Sequence, residues 1–341
     1  MARAEIASSS DVSARPPPLT VCHRRVAEPT AIERLMRHNA CELTIADAAT
    51  PTPPNITDPR VQVWRELDGT VCAYGYTKGG QHWMYLPGLA SFYFGDGVNG
   101  VTAVPHNCAR KELILDAYRR NVLPMVLYTR GQEVLHASAI LTPSGVVALC
   151  AISGVGKSTT AFALSHHQDW PLWADDAVAF EPSGAEVTAI PLPFSIRLLP
   201  ETAAFFARGS TAMDKMRPRV ATDRGEALEQ LAALLVLNRV REVEDDGVAA
   251  VRIRRVPSNQ AFLDVLAHAY CFNLQDVERK RSMMRHYLDL VSRIPVFEVR
   301  FRAGLKMLPT VLEGIEQLVS NVECNAANSR DSAWRVPDAQ R

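Results

Sequence analysis

The chain has 341 residues, 47% hydrophobic and 22% charged, and its 37 Lys and Arg balance 37 Asp and Glu. That is an ordinary composition for a globular protein with a sizeable core, and zero net charge gives no global field favouring nucleic acid or an anionic membrane. Seven cysteines, odd in number and never in Cys-x-x-Cys spacing, argue against a disulfide scaffold or zinc ribbon and for a reducing compartment. No run approaches the roughly 20 apolar residues that span a bilayer, and the N-terminus lacks the apolar core of a secretory signal. The expectation is a cytoplasmic protein with neither a nucleic-acid nor a membrane partner.

Residues 1–30, rich in Ala, Ser, Arg and Pro, are expected to be a disordered tail. Ala31 to His38 has the pattern of a short helix, and Thr50 to Pro54 reads as a proline-rich connector. From Pro59 to Val104, short aromatic or β-branched runs alternate with Asp-Gly, Gly-Gly and Gly-Asp-Gly turns, the signature of an antiparallel meander. Tyr85, Phe92, Tyr93 and Phe94 are its expected core. Residues 31–128 are thus a β-rich N-terminal region, closed by a helix over Lys111 to Val122 that should end at Pro124, with MVLYTRG as a further strand.

Residues 129–321 have the alternation of an α/β domain. LHASAIL and GVVALC read as strands, TTAFALS as a helix and PLWADD as a strand. A short hairpin is expected over GAEVTAIPLPFSIRLLP, and a mobile polar loop over Gly209 to Arg224. Leu231 to Val240 reads as a buried strand and VRIRRV as a second one. A helix capped by Ser258 should run to Cys271, and a long one from Asp276 to Ser292. IPVFEVRF is a late strand, and Pro309 should open a last helix ending at Val319. Residues 322–341 are expected to be loose. The basic clusters at Arg252, Arg254 and Arg255 and at Arg279, Lys280, Arg281 and Arg285 read as solvated faces.

The chemistry concentrates in GVVALCAISGVGKSTTAFALSHHQDWPLWADD, Gly145 to Asp176. A phosphate-binding loop works because successive backbone N–H groups converge at a helix N-terminus, where the dipole favours anions. Gly154 and Gly156 allow the special backbone and close phosphate approach. Lys157 supplies a cation for β- and γ-phosphates, and the Ser158 hydroxyl suits Mg²⁺. Ser153, Val155 and Thr159 complete the cradle. The strict pattern G-x-x-x-x-G-K-[ST] departs at Ala151, in place of its first glycine. Asp175 and Asp176 close the next strand. Adjacent carboxylates can divide metal binding and general-base work, or one of them can be a turn cap. His136, in a strand beside the loop strand, is either a satisfied core residue or a member of the site.

LHASAI, SGVGKST and WADD, in this order and spacing, resemble the catalytic domain of the HPr kinase/phosphorylase family, closest to its divergent bacterial branch of HPr-kinase-like proteins. The resemblance implies a P-loop fold related to phosphoenolpyruvate carboxykinase, with a mixed sheet and flanking helices, preceded here by the small β-rich region. It implies an enzyme that uses ATP and Mg²⁺ to phosphorylate a serine hydroxyl on a protein or peptide. Carried over by motif position, Ser153 to Thr159 would hold the phosphates and Ser158 with Asp176 the metal. Asp175 would be the base for the acceptor, His136 would sit near the γ-phosphate, and Arg197 would be a further phosphate contact. The typical family members form rings, so a homo-oligomer is a state the resemblance allows. Three positions depart from those enzymes: Ala151, Thr159 where they carry an acidic residue, and a downstream arginine-glycine signature that this chain lacks. The alternatives are a nucleotide-binding regulatory module with little turnover and a kinase for a small hydroxylated metabolite.

Overall fold

The computed structural model describes residues 22–23, 41–46, 58, 60–66, 68–95, 100–106, 109–167, 170–183, 186–208, 228–240, 251–273 and 275–332. The expected helix over Ala31–His38, the connector Thr50–Pro54 and the loop Gly209–Arg224 lie outside the described residues. So does the N-terminal tail apart from the short strand β1 (Cys22–His23).

The expected meander is present. Strands β2 (Leu43–Ile45), β3 (Gln62–Arg65), β4 (Val71–Lys78), β5 (Gln81–Leu86), β6 (Ala90–Gly95) and β7 (Val101–Pro105) form a six-stranded sheet in the order β2-β7-β6-β5-β4-β3. All neighbours are antiparallel except β2 and β7. Gly79 and Gly80 join β4 to β5 with φ of 57° and 74°, the two positive values that a two-residue primed hairpin turn requires. Period-two alternation sends Met84, Leu86, Phe92 and Phe94 into the core. Tyr85 and Tyr93, expected beside them, face the other way. With Tyr74, Tyr76 and Trp83 they make a half-buried aromatic ladder, its ring centroids 5.5 to 6.3 Å apart.

The helix expected to end at Pro124 does not end there. Helix α1 (Lys111–Ala117) passes into a π-helical turn, Tyr118–Val122, and then into α2 (Leu123–Thr129). The π turn resets the hydrogen-bond ladder, so Pro124 falls in the first turn of a new helical segment, where no N–H is needed. MVLYTRG is therefore mostly helix. Leu123 to Tyr128 are all buried, and a fully buried helix shows no period by which to tell it from a buried strand.

The second sheet has nine strands. Its organiser is β15 (Glu229–Val240), which lies parallel to β10 (Gly145–Cys150) on one side and to β17 (Val296–Arg302) on the other. β9 (Ala137–Thr142) and β11 (Leu172–Ala174) extend the β10 side with antiparallel pairing, and β16 (Val251–Arg255) extends the β17 side. The first residues of β15 also pair with β13 (Glu186–Ile190), leading on to β12 (Val178–Ser183) and β8 (Glu133–Leu135). The expected hairpin is thus β12–β13, upstream of where the proline spacing puts it. The two-residue β14 (Ser195–Ile196) pairs instead with β1.

Helices α3 (Lys157–His167) and α7 (Leu308–Ser332) cover one face of this sheet with Phe162, Leu164, Val311 and Ile315. A second core fills the other face. There α6 (Val277–Arg293) packs on β12 and β13, and Phe272 stacks on Trp64 of the meander at 5.8 Å and meets Phe94 at a tilt, 5.5 Å away. One continuous core therefore joins the β-rich region to the larger sheet. A further helix, α4 (Pro200–Arg208), precedes β15.

Five expectations about the later elements change. Helix α5 (Ser258–Leu266) starts behind Pro257 with no side-chain cap from Ser258, and it ends before Cys271. The last helix starts one residue before Pro309, at Leu308, and continues past Val319 to Ser332. Asp276 does cap α6, accepting the Arg279 N–H at 2.9 Å. Arg279 itself is not on a solvated face. It turns inward to pair with the buried Glu133 at 2.7 Å and lies over the Tyr128 ring. Among the described residues no helix is long and apolar enough to cross a membrane.

Candidate active site

Strand β10 is buried at every residue, and its carboxyl end opens into the loop Ala151–Gly156 before α3 starts at Lys157. The carboxyl ends of parallel strands are where open α/β sheets form clefts. Gly154 and Gly156 have φ of 81° and 121°, values that glycine alone adopts at no cost. Bends of that kind turn successive amides toward one concavity. Ala151 is 1% exposed and has no positive φ, so an alanine in place of the pattern's first glycine adds no backbone strain. Ser153 and Gly154 are exposed at the loop's tip, while Val155, Ser158 and Thr159 are half-buried.

Lys157 is buried, and its ammonium donates across the loop to the Ala151 carbonyl at 3.0 Å. Burial pushes its pKa below the ordinary lysine range, against the opposing pull of Asp176 and Asp175. Among the described residues its one hydrogen-bond partner is thus a neutral carbonyl of the loop.

Asp175 follows β11, which pairs with β9. Ser138 on β9 and Ser158 in the first turn of α3 both donate to the same oxygen, Asp175 Oδ1, at 2.6 and 2.8 Å. Burial and the neighbouring Asp176 carboxylate push the Asp175 pKa up, while the two hydroxyls and Arg120 oppose the rise. A hydroxyl and a carboxylate held together in this way are hard oxygen donors of the kind Mg²⁺ takes.

Asp176 faces elsewhere. It is one of two non-glycine residues with positive φ among those described, at 66°. Its carboxylate accepts from Arg120 Nε at 2.5 Å. The Tyr270 hydroxyl lies 3.0 Å from the Asp176 carbonyl and 3.3 Å from the Arg120 carbonyl. His136 occupies the bend between β8 and β9. Its backbone N–H donates to the His268 carbonyl at 2.7 Å, and its ring lies 6.0 Å from that of Tyr270. Burial first, and then the Lys157 charge, push both histidines down, His268 to about 4.

The structure thus gathers Lys157, Ser158, Asp175, Asp176 and His136 around one loop. Arg197 is not on that loop. Its guanidinium donates to Asp116, which also accepts from Ser195 Oγ at 2.8 Å and lies 4.0 Å from Arg120. Sequence reasoning misses Arg120, Ser138, His268 and Tyr270. Ser138 had a signal, since alternation along LHASAI puts it on the face of His136. Arg120 and Tyr270 had none, because a π turn and an irregular stretch after a helix bring them in.

No family model matches the sequence, and no curated protein does. Among solved structures the chain is similar to the HPr(Ser) kinase/phosphatase from Coxiella burnetii, with a TM-score of 0.29 and 12% identity over 59% of this chain and 96% of that one.

Proposed function

We propose that this chain is an ATP- and Mg²⁺-dependent kinase that transfers the γ-phosphoryl group to a serine hydroxyl of a protein or peptide. The observation that carries the reading is the shared oxygen of Asp175, which ties the first turn of α3 to the strand end carrying both carboxylates. Phosphoryl transfer asks a protein mainly for positioning and charge stabilisation, and these groups supply both. Loop 151–156, with Lys157 behind it, is suited to hold the phosphates.

Among the described residues no three His, Cys, Asp or Glu side chains form a metal cage. One carboxylate and one hydroxyl fit Mg²⁺ better than they fit a structural metal, because Mg²⁺ is completed by substrate phosphates and water. When bound, the ion neutralises charge on the transferring group. The geometry favours Ser158 and Asp175 for the metal, leaving Asp176 as base toward the acceptor beside His136. In the other division Asp175 is the base, its pKa raised by burial and by the Asp176 carboxylate, and Asp176 joins Ser158 at the metal.

The test is labelling of small host proteins by the purified chain with radiolabelled ATP and Mg²⁺. Lys157→Ala and Asp175→Asn are each expected to abolish the label. Labelling that survives both changes would overturn the assignment.

A further inference from the structure

Asp176 is the strained residue of the site, and the strain is held from outside the loop. Non-glycine residues with φ near 66° persist where their surroundings over-determine them, and such positions cluster at functional sites. Two contacts fix this one, and a third ties its partner Arg120 to the Tyr270 hydroxyl. Arg120 Nε donates to Oδ2 of its carboxylate, and the Tyr270 hydroxyl reaches both the Asp176 and Arg120 carbonyls. Behind Arg120, Asp116 lies 4.0 Å away and also takes Arg197 and the Ser195 hydroxyl. A chain of alternating charge, Arg197, Asp116, Arg120, Asp176, therefore runs from β14 through the π turn into the site. The π turn that carries Arg120 is itself a rare form, frequent where a helix must aim a side chain.

We propose that Arg120 is a positioning residue for phosphoryl transfer, setting the Asp176 carboxylate toward the acceptor, with Tyr270 fastening both backbones. Arg197 then acts at second hand, through Asp116. The helix of the β-rich region becomes part of the active site rather than a neighbour of it. The inference rests on the kinase reading and adds to it a distinction between two sides. Lys157, Ser158 and Asp175 serve the nucleotide, and Arg120 serves the acceptor through Asp176. The separation can be measured, because damage on the acceptor side slows turnover without loosening the nucleotide.

The experiment compares Arg120→Ala, Arg120→Lys and Tyr270→Phe with the wild-type full chain. Calorimetry reads MgATP affinity, and turnover at saturating MgATP is read with the labelled acceptor or, failing one, as hydrolysis with water as acceptor. Arg120→Ala is expected to lower turnover ten-fold or more with MgATP affinity changed less than two-fold. Arg120→Lys should keep more of the turnover, and millimolar guanidinium should restore part of it to Arg120→Ala but none to Lys157→Ala. Tyr270→Phe, which removes one hydroxyl, should move turnover in the same direction and tests the idea even where Arg120→Ala folds poorly. Unchanged turnover in Arg120→Ala and Tyr270→Phe overturns the inference and leaves the kinase reading standing. Parallel loss of affinity and turnover also overturns it, as the mark of a general structural role. A wild-type chain that binds no MgATP overturns the kinase reading and this inference together.

Discussion

The Ser158 hydroxyl donates 2.8 Å to Asp175 Oδ1, the same oxygen that takes the Ser138 hydroxyl at 2.6 Å. One carboxylate oxygen with two donors is fixed in position, and only one of those donors belongs to the helix that starts at the loop. The pair should therefore govern how Mg²⁺ enhances ATP binding. Calorimetry with Mg²⁺ and with chelator is expected to differ about ten-fold or more for wild type and less than about two-fold for Asp175→Asn and Ser158→Ala, the size of a charge-assisted contact. Asp176→Asn should keep the Mg²⁺ effect and lose turnover. If Asp176→Asn abolishes the Mg²⁺ effect and Asp175→Asn preserves it, the roles of the two carboxylates are reversed.

Lys157 and Ser158 were legible because a buried strand, a glycine-bearing loop and a helix form a local pattern with a chemical reason. The meander was legible because hairpin turns announce themselves in Gly-Gly and Asp-Gly. Arg120 and Tyr270 stand 56 and 94 residues from Asp176, and nothing local in either marks it as a partner. The same holds for Arg279. Its burial against Glu133, 146 residues away, follows from which face of α6 meets the core, while a run of basic residues in a helix reads as solvated. Pro124 misled for another reason. A proline ends an α-helix unless the ladder is reset just before it, and a π turn leaves no trace in composition.

Gly145 and Gly154 both have positive φ, yet alanine should affect them differently. At Gly145 (φ 120°) a Cβ would lie 2.4 Å from the Gln230 carbonyl oxygen of β15, a backbone atom that cannot move without disturbing the sheet's organiser. Gly145→Ala is expected to cost about 3 kcal/mol or more in urea unfolding. At Gly154 (φ 81°) nothing lies within 4 Å, so only backbone strain of about 1–2 kcal/mol applies. There the loss should appear in ATP affinity. Equal stability losses at the two sites would contradict this.

The Glu133–Arg279 pair predicts an asymmetry between breaking a buried ion pair and replacing it. Glu133 is 2% exposed and accepts from Arg279 at 2.7 Å, with His286 Nδ1 at 2.9 Å from the same oxygen. Arg279→Ala leaves a buried carboxylate short of its main partner and should cost about 3–5 kcal/mol. The double variant Glu133→Gln with Arg279→Met, which removes both charges and keeps the volume, should recover most of that. A double variant as unstable as Arg279→Ala would show that the Arg279 guanidinium, which lies over the Tyr128 ring and donates to the Tyr128 and Gln132 carbonyls, matters beyond its pairing with Glu133.

His268 offers a test in acid. Burial and the Lys157 charge hold it near a pKa of about 4, well below its value in an unfolded chain. Between about pH 6.5 and 4 the unfolded state therefore binds more protons, and stability must fall as pH falls through that window. The slope is at most about 1.4 kcal/mol per pH unit for each such site. His136 is depressed in the same direction and adds to the fall. Asp175 opposes it, because a carboxyl raised by burial takes up its proton earlier in the folded protein than in the unfolded chain. Comparing His268→Gln with wild type cancels both of those contributions. The variant is expected to be the less stable protein at about pH 7.5, where the neutral imidazole packs without penalty, and to approach wild type as the pH falls toward 5. Urea midpoints across that range decide it. Curves that stay parallel would mean His268 titrates alike in both states and that its ring is not held neutral beside Lys157.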